Sequence, residues 1–104
     1  MDLQALSYTK IEGRHGSHEI VVYALSTCGH CRRALTFLDS KGLSYKYLYV
    51  DLIPLETKNA IKAELRSLFN ENVAFPFAII DGREHLVGFI EADWILTLGL
   101  GEQA

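Results

Sequence analysis

Several features are scarce or missing in this sequence of 104 residues. It contains two cysteines, two prolines and one tryptophan. Its most nearly apolar stretch, Val73–Ile80, is interrupted by Pro76 and is much shorter than the roughly 20 residues with which a helix crosses a bilayer. The net charge of -3 is also not that of a chain built to bind nucleic acid. We therefore expect neither a membrane nor a nucleic acid as the partner.

The first ten residues lack the pattern of a secretory leader. They contain Asp2 and have no basic start followed by a continuous apolar run. A cytoplasmic location is therefore expected. With 49% hydrophobic and 22% charged residues, the composition is that of an ordinary globular domain. The length predicts one domain over residues 1–104, with a core at about residues 18–99, and we expect a monomer.

Both cysteines lie in one short motif, Cys28-Gly29-His30-Cys31. A disulfide that closes only four residues constrains little of the unfolded chain, so it stabilises the fold weakly. In a reducing compartment such a pair is expected to cycle between dithiol and disulfide. Two alternatives stay open at this point. One is an incidental structural pair, and the other is a zinc site completed by His15 and His18.

The distribution of apolar residues predicts alternating strands and helices. The β-branched run within His18–Leu25 is typical of a buried strand, and Ser44–Val50 alternates like a second strand. Between them, the spacing i, i+3, i+4 and i+7 predicts a helix whose inward face consists of Cys31, Ala34, Leu35 and Leu38. A strand, a helix and a second strand in this order predict a βαβ unit with parallel strands.

The second half of the chain predicts a helix, a hairpin and a last helix. Pro54 suits the first turn of a helix, because its missing N–H is not needed there. The expected apolar stripe of that helix is Ile61, Leu65 and Leu68. Asp81-Gly82 separates two short apolar runs and predicts a tight hairpin turn. Glu91 then begins a helix that carries Trp94, Ile95 and Leu98.

The N-terminal segment is harder to place. Alternation of Leu6, Tyr8 and Lys10 against their neighbours predicts an additional strand within Leu6–Glu12. Residues 13–17 would then turn the chain back toward the strand at Ile20, as in a hairpin.

Cys28 is expected at the start of the first helix, where a thiolate is stabilised. Unpaired N–H groups and the positive end of the helix dipole favour a negative sulfur there. His30 (when protonated), Arg32 and Arg33 add positive charge. We therefore expect the pKa of Cys28 to lie below the free value of about 8.5. Cys31, one turn deeper, is close enough for a disulfide, so Cys28 would attack a substrate disulfide and Cys31 would resolve the mixed disulfide.

These residues resemble the glutaredoxin family of the thioredoxin superfamily from about Ile20 to Leu98. The resemblance is carried by Val22-Tyr23, Cys28-x-x-Cys31, Leu38-Asp39-x-Lys41-Gly42-Leu43, Asp51, Phe75-Pro76, Asp81-Gly82 and Gly88-Phe89. It implies an α/β, thioredoxin-like fold: a four-stranded mixed sheet in the order 2-1-3-4, counted from the Ile20 strand, flanked by three helices. In that order the Ile20 strand has two neighbours. An extra N-terminal strand must then reach a sheet edge or pack outside the sheet.

The same resemblance implies a substrate site beside the dithiol. Pro76 is expected to be cis and to lie next to the cysteines, with the backbone of Phe75 pairing with a bound peptide or with glutathione. Glu91 matches an acidic position near the γ-glutamyl amine, and Gly88 matches the second position of the family's glycine pair before the last helix. Arg32 or Arg33 would supply a contact to a carboxylate. The resemblance implies no tightly bound cofactor and no metal, with glutathione as a co-substrate.

Four positions depart from the pattern of glutathione-using glutaredoxins. Leu25 stands where a lysine three residues before the first cysteine binds a glutathione carboxylate. The other three departures are Gly29-His30 in place of Pro-Tyr, Ala74-Phe75 in place of Thr-Val, and Val87-Gly88 in place of Gly-Gly. These departures weaken the expected recognition of glutathione.

Two other branches share parts of the sequence. Gly88-Phe89 followed by Asp93 is similar to the glutaredoxin-like electron donors of ribonucleotide reductase, which draw electrons from a thioredoxin-reductase-type flavoenzyme. Cys-Gly-His-Cys is the motif of protein disulfide isomerase domains. The function expected is reduction of protein or mixed disulfides through Cys28 and Cys31, with glutathione or a flavoenzyme reductase as the donor. The alternative is a module that holds zinc or an iron–sulfur cluster with the same cysteines.

Overall fold

The computed structural model describes residues 1–101 as a five-stranded sheet with helices packed on it. The strands are β1 (Thr9–Ile11), β2 (Ile20–Ala24), β3 (Tyr45–Tyr49), β4 (Phe77–Ile80) and β5 (Glu84–Val87). The helices are α1 (Gly29–Ser40), α2 (Leu55–Phe69) and α3 (Glu91–Leu98), and short 3₁₀ turns cover Leu3–Ala5 and Val50–Leu52. The expected domain spans residues 1–104, of which 102–104 lie outside the described residues.

The sheet has the order β1-β3-β2-β4-β5. β2 is parallel to β3, whereas β4 runs antiparallel to both β2 and β5. The part from β2 onward therefore has the order expected from the resemblance, and the thioredoxin-like fold is confirmed. Because β2 lies in the centre, the chain that leaves its carboxyl end emerges between β3 and β4.

The N-terminal strand lies at the edge of the sheet. β1 pairs antiparallel with β3, with Thr9 opposite Tyr47 and Ile11 opposite Tyr45. The idea of a hairpin with the Ile20 strand is wrong, because β3 and β4 occupy both edges of β2. The strand is also shorter than Leu6–Glu12.

The loop after β1 packs tightly under the end of α1. A Cβ atom at Gly13 would lie 2.4 Å from the carbonyl oxygen of Gly42, so no other residue fits there without moving the backbone. The backbone of His15 continues this contact, since its N–H donates to Gly42 O at 2.9 Å and its carbonyl accepts from the Ser44 N–H at 2.9 Å. These contacts fix β1 against the rest of the domain.

The sheet separates two apolar clusters. One lies under α1 and α3 and includes Ile20, Val22, Ala34, Leu38, Trp94 and Leu98. The other lies under α2 and includes Val21, Tyr23, Ile61, Leu65 and Phe77.

The predicted apolar stripe of α2 is wrong at Leu68, which is 57% exposed. Phe69 packs on the sheet instead, because the inward positions of α2 are spaced four residues apart, at Ile61, Leu65 and Phe69.

Two turn residues behave as their chemistry predicts. Asp81 and Gly82 both have positive φ, at 56° and 70°, which is the conformation of the two central residues of a type I′ hairpin turn.

Pro54 precedes α2 directly as its N-cap rather than lying in its first turn. Among the helices of residues 1–101, none is long and apolar enough to cross a membrane.

Candidate active site

Cys28 is positioned by the end of β2 and the start of α1. The five residues of β2 are all buried, so the strand is held rigidly and the turn after Ala24 leaves from a fixed point. Cys28 is the N-cap of α1, with an extended backbone, and its Sγ accepts a hydrogen bond from the Cys31 N–H at 3.3 Å. The sulfur thus occupies the place where an N-cap oxygen normally satisfies the first N–H groups of a helix.

The surroundings of Cys28 favour its thiolate. Burial alone would raise the pKa of Cys28, but the hydrogen bonds from the Cys31 thiol and from the backbone N–H groups of Cys31 and His30 outweigh it, together with the charge of Arg33. The net pKa of Cys28 lies below its ordinary value. The prediction that a helix start lowers this pKa therefore agrees with the geometry.

Cys31 is in the opposite situation. It is completely buried, and its Sγ accepts a hydrogen bond from the Leu25 N–H at 3.4 Å. Burial, together with the neighbouring Cys28 sulfur, raises the pKa of Cys31 to about 12, although the hydrogen bond from the Leu25 N–H acts to lower it. The two thiols are therefore chemically unequal: Cys28 is half-buried and acidic, whereas Cys31 is sealed and protonated.

His30 acts on Cys28 through its backbone in this arrangement. Its N–H is among the groups that lower the pKa of Cys28. Its side chain is exposed, and the Arg33 guanidinium donates a hydrogen bond to His30 Nδ1 at 2.5 Å. A positively charged His30 ring that stabilises the thiolate stays a prediction.

A second polar contact holds the turn between β2 and Cys28. Asp51, which follows β3, accepts hydrogen bonds from the Ser26 N–H at 2.9 Å and from the Ser26 hydroxyl at 2.6 Å. These bonds hold the pKa of Asp51 below its usual value. The contact ties the end of β3 to the turn that presents Cys28, which gives Asp51 a structural role.

Most of the expected substrate-binding residues lie at the same end of the sheet as the dithiol. The Phe75-Pro76 bond is cis, as expected, and Pro76 is buried directly before β4, beside the end of β2. Phe75 is half-buried and packs on the cluster that contains both cysteines. The Gly88 N–H donates to Pro76 O at 2.7 Å, and Glu91 is exposed at the start of α3.

Arg32 lies on the other side of the dithiol. It is exposed on α1 and lines a groove together with Cys28 and Tyr49 of β3. Because β3 and β4 flank β2 on opposite sides, Arg32 and the cis-proline face the dithiol from different directions. This separation was not predictable from local sequence patterns, because it depends on which neighbour of β2 each residue packs against.

The histidines proposed for a zinc site lie at the far end of β2. His18 comes before the strand and Cys28 after it, so about 16 Å of extended chain separates them. The ring of His18 is already engaged, with Nδ1 2.7 Å from Asp81 Oδ2 and Nε2 3.0 Å from Leu98 O. Residues 1–101 contain no group of three or more His, Cys, Asp or Glu side chains arranged to hold a metal. The metal-binding alternative therefore lacks a ligand set in this part of the chain.

Comparisons with known proteins agree with this geometry. A protein-family model described as Glutaredoxin matches residues 20–85. The glutaredoxin from Methanosarcina mazei Go1 is 29% identical, with a TM-score of 0.77 over 94% of this chain and 95% of that chain. Methanosarcina acetivorans methanoredoxin is 33% identical, with a TM-score of 0.77 over 88% and 95%. The buckwheat glutaredoxin–glutathione complex is 25% identical, with a TM-score of 0.61 over 81% and 70%.

Among curated proteins, none matches this sequence significantly. The matched family model nevertheless spans more than half of the chain and includes both cysteines and the cis-proline. The fold that carries these residues is also shared over nearly the full length of the two Methanosarcina proteins. The chain therefore belongs to the glutaredoxin family of thiol–disulfide oxidoreductases.

Proposed function

We propose that this glutaredoxin reduces protein disulfides and glutathione mixed disulfides through a cycle at Cys28 and Cys31. The observation that carries the proposal is the inequality of the two thiols. Cys28 has a lowered pKa and reaches solvent, whereas Cys31 is buried and has a pKa of about 12. One sulfur is thus ready to attack a substrate, and the other is kept back for the second step.

In the first step, the Cys28 thiolate attacks one sulfur of the substrate disulfide. A bond forms between Cys28 Sγ and that sulfur, the substrate S–S bond breaks, and the other substrate sulfur leaves as a thiolate that takes a proton from water. The result is a mixed disulfide in which Cys28 has lost its negative charge.

In the second step, this loss of charge activates Cys31. The hydrogen bond and the negative charge of Cys28 are among the causes that raise the pKa of Cys31. Once Cys28 is part of a mixed disulfide, both causes are lost and the pKa of Cys31 falls. The Leu25 N–H, which already donates to Cys31 Sγ, stabilises the thiolate that forms when the proton leaves to water. Cys31 then attacks Cys28 Sγ and releases the second substrate thiolate. The substrate has gained two electrons, and the protein holds a Cys28–Cys31 disulfide.

Two molecules of glutathione would return the protein to the dithiol and leave as glutathione disulfide. Support comes from the family and from the glutathione complex of the buckwheat glutaredoxin. The backbone of Phe75, with Gly88 and Glu91, would contact the γ-glutamyl part. Leu25, which packs into both apolar clusters, replaces the lysine of the family pattern and offers no charge to a carboxylate. We therefore expect weak binding of glutathione.

A coupled assay tests the donor. Reduction of a protein disulfide is followed through NADPH oxidation with glutathione and glutathione reductase, or with thioredoxin reductase alone. We expect turnover with glutathione, with a high KM, and no turnover in the Cys28→Ser variant. Turnover with thioredoxin reductase alone would contradict glutathione as the co-substrate and would assign a flavoenzyme as the donor.

We also propose that the protein acts as a cytoplasmic monomer. A reducing compartment keeps such a cysteine pair in the dithiol state that attacks a substrate disulfide, which supports the location. Size-exclusion chromatography with light scattering tests the oligomeric state, and cell fractionation tests the location. A stable dimer or a membrane-bound fraction would contradict the proposal.

A further inference from the structure

A groove runs along α1 on the side of the dithiol away from the cis-proline. Its volume is about 250 Å³. One wall is a ridge of α1 whose members follow one another by about one helical turn: Cys28, Arg32, Thr36 and Asp39. The floor is one face of β3, formed by Tyr45, Tyr47 and Tyr49, and Ile11 of β1 lies at the far end beside Tyr45. The groove opens onto Cys28.

The groove exists because α1 covers only part of the sheet on this side. The three tyrosines alternate along β3 and therefore share one face of the sheet. Tyr45 is buried, but Tyr47 and Tyr49 are half-buried, with ring centroids 5.0 Å apart in an edge-to-face arrangement. β1 extends the sheet beyond β3, so the aromatic face is enclosed on two sides and open above.

The two charged side chains of the groove differ in their pairing. Asp39, at the far end, accepts a hydrogen bond from the Tyr45 hydroxyl at 2.8 Å. The side chain of Arg32, near Cys28, is exposed, and its guanidinium has no hydrogen-bond or ion-pair partner within residues 1–101. The unpaired charge beside the reactive sulfur is therefore positive, and it complements an acidic side chain of a bound molecule.

We propose that this groove binds an extended segment of the protein substrate next to its reacting cysteine. The inference rests on the proposed function and adds a substrate class to it. Along α1, Arg32 lies about 6 Å and Thr36 about 12 Å beyond Cys28. In an extended chain, residues two and four positions from the cysteine lie about 6.6 Å and 13 Å away and point to the same face. The matching segment carries an acidic residue at the second position and a bulky apolar residue at the fourth.

Synthetic peptides test the spacing directly. Each carries its cysteine as a mixed disulfide with 2-nitro-5-thiobenzoate, whose release is followed by absorbance. The Cys28 thiolate attacks the peptide sulfur, a peptide–Cys28 disulfide forms, and thiobenzoate leaves as a coloured thiolate. The pentapeptide Cys-Gly-Glu-Gly-Phe and its reverse, Phe-Gly-Glu-Gly-Cys, cover both chain directions. Cys-Gly-Gly-Gly-Gly and its reverse are the references.

We expect the Glu/Phe peptide, in one of the two directions, to react at least about tenfold faster than its reference, since an apolar side chain that fills a pocket contributes factors of this size. Thr36→Trp fills the groove from an exposed position of α1 and should reduce this ratio to near one. Ala63→Trp, at an exposed position of α2 on the other face of the sheet, is the matched control and should leave the ratio unchanged.

Arg32→Glu tests the charge. With this variant, a peptide that carries lysine in place of glutamate should become the faster substrate. An unchanged preference for glutamate would overturn the role of Arg32. Equal rates for the Glu/Phe and reference peptides in both directions would overturn the whole subsite, as would an unchanged ratio in Thr36→Trp.

A small probe separates failure of this inference from failure of the proposed function. The thiobenzoate mixed disulfide of N-acetylcysteinamide is too short to reach Thr36, so Thr36→Trp and the parent protein should reduce it at the same rate. If this probe reacts through Cys28 while the peptides show no preference, only the subsite is wrong. If the small probe does not react through Cys28 either, the disulfide-reducing function itself is wrong.

Discussion

The polar groups at the two ends of β2 differ in how they are hydrogen-bonded. Before the strand, His18 uses both ring nitrogens, and Asp81 uses both carboxylate oxygens, one toward His18 and one toward the Glu19 N–H at 2.8 Å. After the strand, the Cys28 sulfur lies next to backbone N–H groups of α1, and these groups stabilise a negative charge on the sulfur. The first end is a closed contact that fixes the fold. The second keeps donors available for a sulfur whose charge changes during the reaction.

The largest effect is expected from the cysteines themselves. Cys28→Ser removes the sulfur that lies at the helix start and should lower turnover by a factor on the order of 10³ or more. Cys31→Ser leaves the first step intact, so thiobenzoate release should persist while the mixed disulfide with Cys28 accumulates. Stopped-flow absorbance and intact-protein mass spectrometry measure the two steps. Accumulation of a mixed disulfide on Cys31 in Cys28→Ser would contradict the assigned roles.

A smaller effect is expected at the other end of the strand. The hydrogen bond to Asp81 raises the pKa of His18 above its ordinary value of 6.5, and the same contact holds the pKa of Asp81 below 3.8. The stabilisation from His18 is therefore complete below pH 6.5 and is lost as the pH rises through the raised value. His18→Ala should lower the free energy of unfolding by about 1 kcal/mol near pH 5.5 and by less near pH 9.

Denaturant unfolding at both pH values measures this difference. The exposed His15 is the matched control, since it contributes only its backbone to the fold, and His15→Ala should show no such dependence on pH. A loss in His18→Ala that is equal at both pH values would mean that packing, rather than the charged contact, accounts for the stabilisation.

The smallest effect is expected from substitution of the two neighbouring arginines, Arg32 and Arg33. Arg33 is among the main groups that lower the pKa of Cys28, whereas Arg32 is not among them. Arg33→Ala should therefore raise the pKa of Cys28 more than Arg32→Ala does. At neutral pH the alkylation rate should fall less than fivefold, because an exposed charge contributes less than about 1 kcal/mol. Iodoacetamide alkylation as a function of pH measures both variants, and equal shifts in the two would contradict the assignment.

Local patterns in the sequence predicted the core of the fold. The βαβ unit, the Asp81-Gly82 turn and the buried face with Cys31 follow from neighbours within a few residues, where periodicity and turn chemistry decide the structure. The same holds for the unequal thiols, because a helix start and an inward position three residues later fix which sulfur is exposed.

Contacts between distant residues were not predictable in the same way. His18 contacts residues 63 and 80 positions away, so its ring gave no sequence signal beyond that of a polar residue near a turn. The position of β1 depends on which sheet edge is free, and alternation alone does not encode that. The groove along α1 is likewise made by three elements that meet only in the folded chain.

The complete burial of Cys31 has a consequence for oxidative damage. Hydrogen peroxide converts an accessible thiolate to a sulfenic acid, and continued exposure carries it on to irreversible sulfinic and sulfonic acids. In this protein such oxidants would reach Cys28 first, and the buried Cys31 thiol would condense with the sulfenic acid, with loss of water. The pair would thereby convert a damaging oxidation into a disulfide that thiol–disulfide exchange reverses.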